Sequence, residues 1–454
     1  MKNSTLLVAL AVLMLAAACS NEPRSLQTVV QGTITVADSI DSSNDYAGIS
    51  VTIIDQDSIN APVDTLLHMQ TDANGFFKGE VLFPEKGYYN MILNRNNNDL
   101  GVIRVILADN DTLSVNAELP DVGETLTLES REHKAMETLL RVDRNFQRVG
   151  AFVRGGAIPD SMLLDELKKW TDLYWQVHEA HENTLASLVA AEKSAELLNN
   201  WDQEEMLNRI DEVLPEDYMF SVAINFGKPY IAESKGFDAA SNYLDSLSQI
   251  STSDEIREFI QRDKIQLYYD SSRVREAKAL LDTYEQNYSE KSSSKKWARR
   301  IRYDLNYLAP GVTAPEFSFV TMDEDTINNE ALKGTTYILE ISPLANYEYQ
   351  NDYDRTLIIN EIYKNYGLKI FTLPLDQSEI TINAFFEERR KAWPIAKLGT
   401  FDVQQIIQKF NVVQVPTRIL IDKDGVVIRK YERAEFNDVI QGLNSAFREV
   451  NSPS

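Results

Sequence analysis

Cysteine is almost absent from this 454-residue chain, which contains only Cys19. A single thiol cannot form a disulfide within the chain, so the folded protein depends on packing without a covalent cross-link. Reactions in which two thiols of one chain alternate between the dithiol and the disulfide state are excluded as well.

Positive charge is also scarce. The chain has 45 lysine and arginine residues but 69 aspartate and glutamate residues, and its formal net charge is −24. Such a chain repels phosphate backbones, and no basic stripe with interleaved aromatic residues compensates, so we expect no nucleic-acid partner. Glycine-rich phosphate loops and the G-x-S-x-G and H-E-x-x-H patterns are missing too. We therefore expect no cofactor.

Long apolar runs are missing apart from residues 6–18, which are too few to span a bilayer, since spanning takes about 20 apolar residues. With Lys2 before it and small residues directly ahead of Cys19, this stretch has the features of a secretory signal. It resembles a bacterial lipoprotein signal. The resemblance implies a signal peptide over residues 1–18, acylation of Cys19 and a lipidated tether over residues 19–25.

The location implied by such a signal is the cell envelope, where the N-terminal lipid holds the protein on a membrane. The outer membrane is the expected one, with the protein facing the periplasm or the cell surface. The alternative is an ordinary secretory signal that contains a chance cysteine.

Two patterns follow one another before the C-terminal region. Residues 26–125 carry short β-branched and aromatic runs between turn residues, which predicts a small antiparallel β-sandwich. Residues 126–308 carry apolar residues at helical spacing, for example Leu163, Leu167 and Trp170, which predicts a helical domain.

Residues 309–454 alternate between strand and helix patterns, and two motifs identify them. Residues 410–425 read F-N-V-V-Q-V-P-T-R-I-L-I-D-K-D-G, and residues 309–317 read A-P-G-V-T-A-P-E-F. Both resemble motifs of the TlpA and peroxiredoxin-like branch of the thioredoxin superfamily, in the lipoprotein form found in Bacteroidota. The resemblance implies a thioredoxin-like α/β domain with Pro416 in the cis form. The predicted fold class is thus multidomain α+β, with a β-sandwich, a helical domain and this α/β domain in that order.

The resemblance ends at the redox motif. Relatives carry Trp-Cys-x-x-Cys at a helix N-terminus, whereas residues 342–349 read S-P-L-A-N-Y-E-Y here and place Asn346 and Tyr349 at the two cysteine positions. Neither an amide nor a phenol exchanges disulfides, so we expect neither thiol-disulfide oxidoreductase nor peroxidase activity.

Two further expectations rest on this resemblance. Glu340 falls where redox-active relatives bury an acid, so either a cation lies beside it or the strand is shifted and Glu340 is exposed. Because the two thiols are missing, the region that forms the substrate groove in the family is a candidate binding surface without redox chemistry. Its members are the residues on either side of the groove, namely Tyr347, Tyr349, Val415, Pro416 and Thr417.

Two other clusters are candidate sites. His178 and His181 have the i, i+3 spacing that can chelate a metal, although no third ligand can be assigned and solvated histidines are the alternative. Residues 295–300, K-K-W-A-R-R, are the most basic stretch and would either seat an acidic partner or form a solvated helix face.

The leading interpretation is a membrane-anchored envelope lipoprotein with a redox-inactive thioredoxin-like domain that binds or positions a protein or peptide partner. One alternative is a metal- or carboxylate-dependent enzyme with its site in the helical domain. The other is a purely structural component of the envelope.

Overall fold

The computed structural model describes residues 25–448 except 41, 56–63, 96–97, 289 and 434. Cys19 and the predicted signal peptide lie outside the described residues. The chain divides into two compact units, residues 1–230 and 231–454. Among the described residues, no helix is both long enough and apolar enough to cross a membrane.

Among its described residues, the first unit begins with eight strands in two four-stranded sheets. The strands are β1 (Leu26–Val36), β2 (Ser50–Asp55), β3 (Asp64–Gln70), β4 (Phe76–Phe83), β5 (Gly87–Arg95), β6 (Asn98–Leu107), β7 (Asp111–Leu119) and β8 (Thr127–Glu129). One sheet has the order β4-β1-β7-β8 and the other has the order β3-β2-β5-β6. Side chains from both sheets form one core, which includes Val30, Val51, Met91 and Val115.

The prediction of a purely antiparallel sandwich is wrong at one pair of strands, because β1 and β7 are parallel. Most of the strands between β1 and β7 in the sequence belong to the other sheet. The chain can therefore come back beside β1 with β7 running in the same direction as β1. The two backbones approach closely at Gly32, where a Cβ would lie 1.8 Å from the Val115 carbonyl oxygen. Only glycine fits at this point of the pair.

Helices complete the first unit. They are α1 (Val122–Thr125), α2 (Arg131–Arg154), α3 (Leu163–Ala180), α4 (Leu185–Leu198), α5 (Gln203–Val213), α6 (Asp217–Val222) and the first residues of α7 (Lys228–Lys235), with a π-helical turn over Ala223–Gly227. Ser130 and Thr184 cap α2 and α4 by accepting hydrogen bonds from backbone N–H groups of the first turn. Ala135 of α2 and Ala186 of α4 share a buried cluster with Ile106 of β6, so these helices pack on the sandwich.

The second unit begins with four helices and continues with a mixed sheet. The helices are α8 (Phe237–Ile250), α9 (Asp254–Asp270), α10 (Val274–Asn287) and α11 (Ser292–Tyr307). The strands are β9 (Ser318–Val320), β10 (Thr326–Asn328), β11 (Tyr337–Ser342), β12 (Lys369–Pro374), β13 (Thr417–Ile421) and β14 (Val427–Glu432). The later helices are α12 (Tyr347–Tyr363), α13 (Glu379–Glu387), α14 (Val403–Lys409) and α15 (Phe436–Arg448).

The helical segment predicted over residues 126–308 is therefore shared between the two units. Its later helices belong with the C-terminal sheet, since Tyr303 of α11 donates a hydrogen bond of 3.1 Å to the Lys409 carbonyl oxygen. Leu308, directly after α11, also lies in the buried cluster that contains Leu339 of β11.

The four central strands of the second unit have the order β12-β11-β13-β14. β11 and β12 are parallel and are connected through α12, whereas β13 and β14 are antiparallel and are joined by the turn at Gly425, whose φ is +79°. All six residues of β11 are buried, as expected of a central strand covered on both faces. This is the α/β arrangement that the motifs in residues 309–454 predict.

Candidate functional site

Asn346, which the resemblance places at the first of the two cysteine positions, caps helix α12. Its side-chain oxygen accepts a hydrogen bond of 2.9 Å from the Tyr349 backbone N–H. The preceding turn is fixed by Asp376, whose carboxylate accepts a bond of 2.8 Å from the Leu344 N–H. Asparagine is among the best N-cap residues, so the amide at this position is used to begin the helix.

Tyr349, which the resemblance places at the second cysteine position, lies on the buried face of α12. Its ring packs beside Tyr353 and Phe385, and its hydroxyl lies 3.2 Å from Thr372 Oγ1. Burial, with a smaller contribution from the Glu340 charge, raises the pKa of Tyr349 well above its usual value of 10.0. The phenol is therefore neutral at physiological pH. The prediction that Tyr349 lies on the surface is wrong, because its ring faces the sheet and not the solvent.

The Glu340 carboxylate is paired with a cation. Glu340 and Arg418 are opposite each other on β11 and β13, and Arg418 Nε lies 2.9 Å from Glu340 Oε1. Thr372 of β12 donates a hydrogen bond of 3.0 Å to the other carboxylate oxygen, and Trp393 Nε1 donates one of 2.9 Å to Thr372. Of the two expectations for Glu340, the partner cation is confirmed, and the shifted, exposed strand is wrong.

This row of polar side chains also reaches α12. Arg418 Nη2 lies 3.1 Å from Asp352 Oδ2 on that helix, and the guanidinium carbon lies 4.8 Å from the centre of the Phe436 ring. The side chains of Glu340 and Arg418 are only 1% and 3% exposed. The arrangement is a buried ionic network that joins the sheet to the helix, in which Arg418 Nη2 lies near Asp352 but makes no well-aligned hydrogen bond.

The segment before β13 carries the rest of the predicted surface. The Val415–Pro416 bond is cis, and the Thr417 hydroxyl donates a hydrogen bond of 2.6 Å to the Gln414 carbonyl oxygen. Pro416 and Thr417, two of the candidate surface residues, have buried side chains. Val415 is half-buried, and within the described part of the chain its backbone N–H and carbonyl oxygen make no hydrogen bond.

Arg433 connects the segment that contains Val415 to the start of α12. The Arg433 backbone N–H donates a hydrogen bond of 2.8 Å to the Pro416 carbonyl oxygen, and Arg433 Nε lies 3.1 Å from Glu348 Oε1 in the first turn of α12. Tyr347, also in that turn, is 73% exposed. We call Tyr347, Glu348, Val415 and Arg433 the Val415 surface.

The two candidate histidines, His178 and His181, have no third ligand beside them among the described residues. His178 Nδ1 lies 2.9 Å from Ser187 Oγ, and its ring lies 4.6 Å from that of Trp175. His181 is the residue after the end of α3. Across the described ranges of the chain, no three His, Cys, Asp or Glu side chains are grouped so that they could hold a metal ion.

One ionic cluster was not predicted. Lys430 of β14, with a side chain 2% exposed, lies 3.1 Å from Asp304 Oδ2 on α11 and 2.9 Å from Glu432 Oε1, and it donates a hydrogen bond of 2.9 Å to the Asn411 carbonyl oxygen. The signal in the sequence is weak, since a lysine in a strand is usually exposed. The cluster connects α11, β14 and the segment before Pro416.

Comparison with known proteins agrees with the motifs of the last domain. No protein-family model matches the chain. The thiol-disulfide oxidoreductase ResA of Bacillus cereus is 29% identical over 145 residues, which cover 31% of this chain and 79% of that protein. ResA of Bacillus thuringiensis subsp. konkukian is 31% identical over 88 residues, which cover 18% of this chain and 48% of that protein.

Solved structures give similar matches. The thioredoxin domain of a thiol-disulfide oxidoreductase from Bacteroides vulgatus is 21% identical, with a TM-score of 0.27, and the match covers 29% of this chain and 96% of that one. A thiol:disulfide interchange protein DsbE (putative) from Chlorobium tepidum is 19% identical, with a TM-score of 0.28, and the match covers 30% and 96%. The strand order of the second unit and the sequence relatives support the same conclusion. The last third of this chain is a thioredoxin-like domain similar to thiol-disulfide oxidoreductases.

Proposed function

We propose that this protein is a membrane-anchored lipoprotein of the cell envelope, whose thioredoxin-like domain binds or positions a polypeptide without exchanging disulfides. The observation that carries the proposal is the Val415 surface. There, the backbone N–H and carbonyl oxygen of Val415 make no hydrogen bond among the described residues, and Arg433 connects this segment to the helix start that Asn346 caps.

The surface suits an extended polypeptide. The backbone N–H and carbonyl groups of Val415 can pair with an incoming strand, which supplies affinity for any sequence. Tyr347 adds a large aromatic side chain that loses little conformational freedom when it is covered. The ion pair between Glu348 and Arg433 borders this area and contributes orientation more than affinity, because both groups are partly exposed.

Redox inactivity is the first part of the proposal to test. Because the sequence holds no cysteine other than Cys19, we expect the full chain to leave the rate of insulin reduction by dithiothreitol unchanged. Turbidity of the released insulin B chain measures this rate. Catalysis above the rate of the donor alone would contradict the proposal.

Peptide binding is the second part. We expect Tyr347→Ala to weaken binding of a fluorescein-labelled, uncharged and cysteine-free decapeptide of alternating threonine and valine by about five- to tenfold, because an exposed aromatic contact is lost. Fluorescence anisotropy with the full chain measures the affinity. Stability should change by less than about 0.5 kcal/mol, since Tyr347 is exposed.

The matched control is Tyr366→Ala, which removes a tyrosine that is 54% exposed just beyond the other end of the same helix. It lies roughly 28 Å away along the helix axis and should leave binding unchanged. Equal effects of the two substitutions, or no binding by the unaltered chain, would remove the Val415 surface from consideration.

Lipid anchoring is the third part. Cys19→Ser removes the only thiol that a lipid could modify, so we expect the variant to leave the membrane fraction and appear in the soluble fraction. Fractionation of cells followed by immunoblotting measures the distribution. A variant that stays with the membranes would show that the attachment does not depend on Cys19.

A further inference from the structure

Helix α11 exposes three cations in a chain that is otherwise rich in acids. Lys295, Lys296 and Arg299 are exposed, and within the part of the chain that the structure describes they make no ion pair. By contrast, Arg300 and Arg302 on the same helix are paired with carboxylates. Acidic residues outnumber basic residues by 69 to 45, so most surface cations of this chain should have a carboxylate nearby. A group of unpaired cations on one helix is therefore a local feature that needs an explanation.

A groove lies beside these cations. It has a volume of about 580 Å³ and is formed by one face of α11 and the segment after α14. Lys296, Arg299 and Arg300 line it together with Trp297, Tyr303 and Val413, and no acidic side chain among the described residues does. We call it the α11 groove.

Helix geometry explains why the groove has both charged and apolar walls. Residues 296, 299, 300 and 303 follow the i, i+3, i+4, i+7 spacing and therefore share one face of α11. Val413, which is 52% exposed, faces this helix from the segment before Pro416. Arg299 also lines a second depression of about 410 Å³ with Lys295, and Glu285, which is paired with Arg302, lines this second depression as well.

We propose that the α11 groove binds an acidic segment of another polypeptide. Carboxylates of that segment would pair with Lys296 and Arg299, and an apolar side chain would lie against Trp297, Tyr303 and Val413. The groove volume falls within the range of about 300–1,000 Å³ that is usual for ligand sites.

Charge and surface chemistry together favour an acidic polypeptide over a polymer of phosphates. The net charge of −24 repels any long polyanion that extends beyond the groove, whereas a short acidic segment meets only the local cations. A phosphate backbone would also leave the apolar wall unused. A peptide that combines carboxylates with one aromatic side chain can contact both the cations and the apolar side chains of the groove.

The proposal goes beyond the peptide binding proposed for the Val415 surface and is tested separately from it. The probe is the fluorescein-labelled peptide Glu-Glu-Phe-Glu-Glu, titrated with the full chain and followed by anisotropy, with Gln-Gln-Phe-Gln-Gln as the uncharged counterpart. We expect the acidic peptide to bind about tenfold more tightly, and we expect added salt to reduce the difference.

Variants of the chain locate the binding. Lys296→Glu with Arg299→Glu should weaken binding of the acidic peptide by at least about tenfold, because two favourable contacts become repulsive. Val413→Ser should weaken it by about threefold through loss of apolar contact. The matched control, Arg275→Glu with Lys278→Glu, reverses two charges on α10 that line neither depression and should change affinity by less than about twofold. Tyr347→Ala should also leave this binding unchanged.

Several results would overturn the proposal. Equal binding of the uncharged peptide, or an equal loss in the α10 control, would show that the groove does not select acidic segments. Equally tight binding of a single-stranded DNA dodecamer, or of vesicles of phosphatidylglycerol, would assign the strip to polyanions or to a membrane surface.

Discussion

Arg418→Met is expected to destabilise the second unit by about 3–5 kcal/mol, because it removes one partner of a buried ionic network. Methionine fills a similar volume but leaves Glu340, 1% exposed, without its cation. It also leaves Asp352, 13% exposed, with only the contact to Arg355 at 3.5 Å. Such uncompensated buried charges cost far more than the pair itself contributes. Urea denaturation of the full chain, followed by far-UV circular dichroism and tryptophan fluorescence, measures the loss.

Arg355→Met is the matched control for this substitution. Arg355 also contacts Asp352, at 3.5 Å, and its guanidinium lies 4.3 Å from the Phe436 ring, but its side chain is 46% exposed. We expect a loss of less than about 1 kcal/mol there, since solvent screens the pair. The two variants thus differ mainly in burial, and equal losses would show that the Arg418 network is not what stabilises the sheet.

A double variant identifies the source of the loss. Glu340→Gln removes the orphaned charge while keeping a side chain that can accept the Thr372 hydrogen bond. Combined with Arg418→Met, it should restore at least about 1 kcal/mol relative to Arg418→Met alone, because the two sites share one interaction. Additive losses would mean that volume, and not charge, is responsible.

The position of the α/β domain could be predicted from the sequence because its motifs are local. Residues 417–421 form one strand, residues 427–432 form the next, and Gly425 between them has the positive φ that a tight turn requires. The parallel pairing of β1 with β7 could not be predicted in this way. Strands that are distant in sequence carry no local signal of which edge they share or in which direction.

The orientation of α12 explains the errors at the candidate site. Tyr347 and Tyr349 are two residues apart, so they point to different sides of a helix, and only one of them can lie on the surface. The buried residues Tyr349, Tyr353, Thr356 and Tyr363 recur at spacings of three, four and seven. That stripe was readable in the sequence and would have placed Tyr349 inside.

The buried position of Lys430 could not be predicted from hydrophobic periodicity or from a sequence motif. A lysine in a strand reads as exposed, and its partner Asp304 is far away in the sequence, on α11. The pairing appears only when the helix packs on β14. Long-range ionic contacts of this kind depend on tertiary structure and leave no pattern within a window of residues.

Lys430→Met is expected to cost about 3–5 kcal/mol at neutral pH, since it leaves Asp304 without its buried cation and leaves Glu432 with Arg300 alone. Lys397→Met is the control, because Lys397 makes an ion pair with Glu324 while its side chain is 41% exposed. Its loss should stay below about 1 kcal/mol. Denaturant midpoints of the full chain measure both.

The loss in Lys430→Met should depend on pH in a defined direction. Burial already raises the pKa of Asp304, and Lys430 is the main group that opposes this effect. Without Lys430 the folded-state pKa of Asp304 rises further above the unfolded value, so the folded protein takes up a proton that the unfolded chain releases. The stability of the Lys430→Met variant is then highest at low pH, and it decreases as the pH rises through the folded-state pKa of Asp304.

The difference between Lys430→Met and the unaltered chain should therefore be smaller at pH 5 than at pH 8. Adding Asp304→Asn to Lys430→Met should remove most of this pH dependence, because the titrating carboxyl is gone while Asn411 keeps a hydrogen-bond partner. A loss that is the same at both pH values, or that persists unchanged in the double variant, would show that Lys430 acts through packing alone. In that case the attachment of α11 to β14 would not depend on charge.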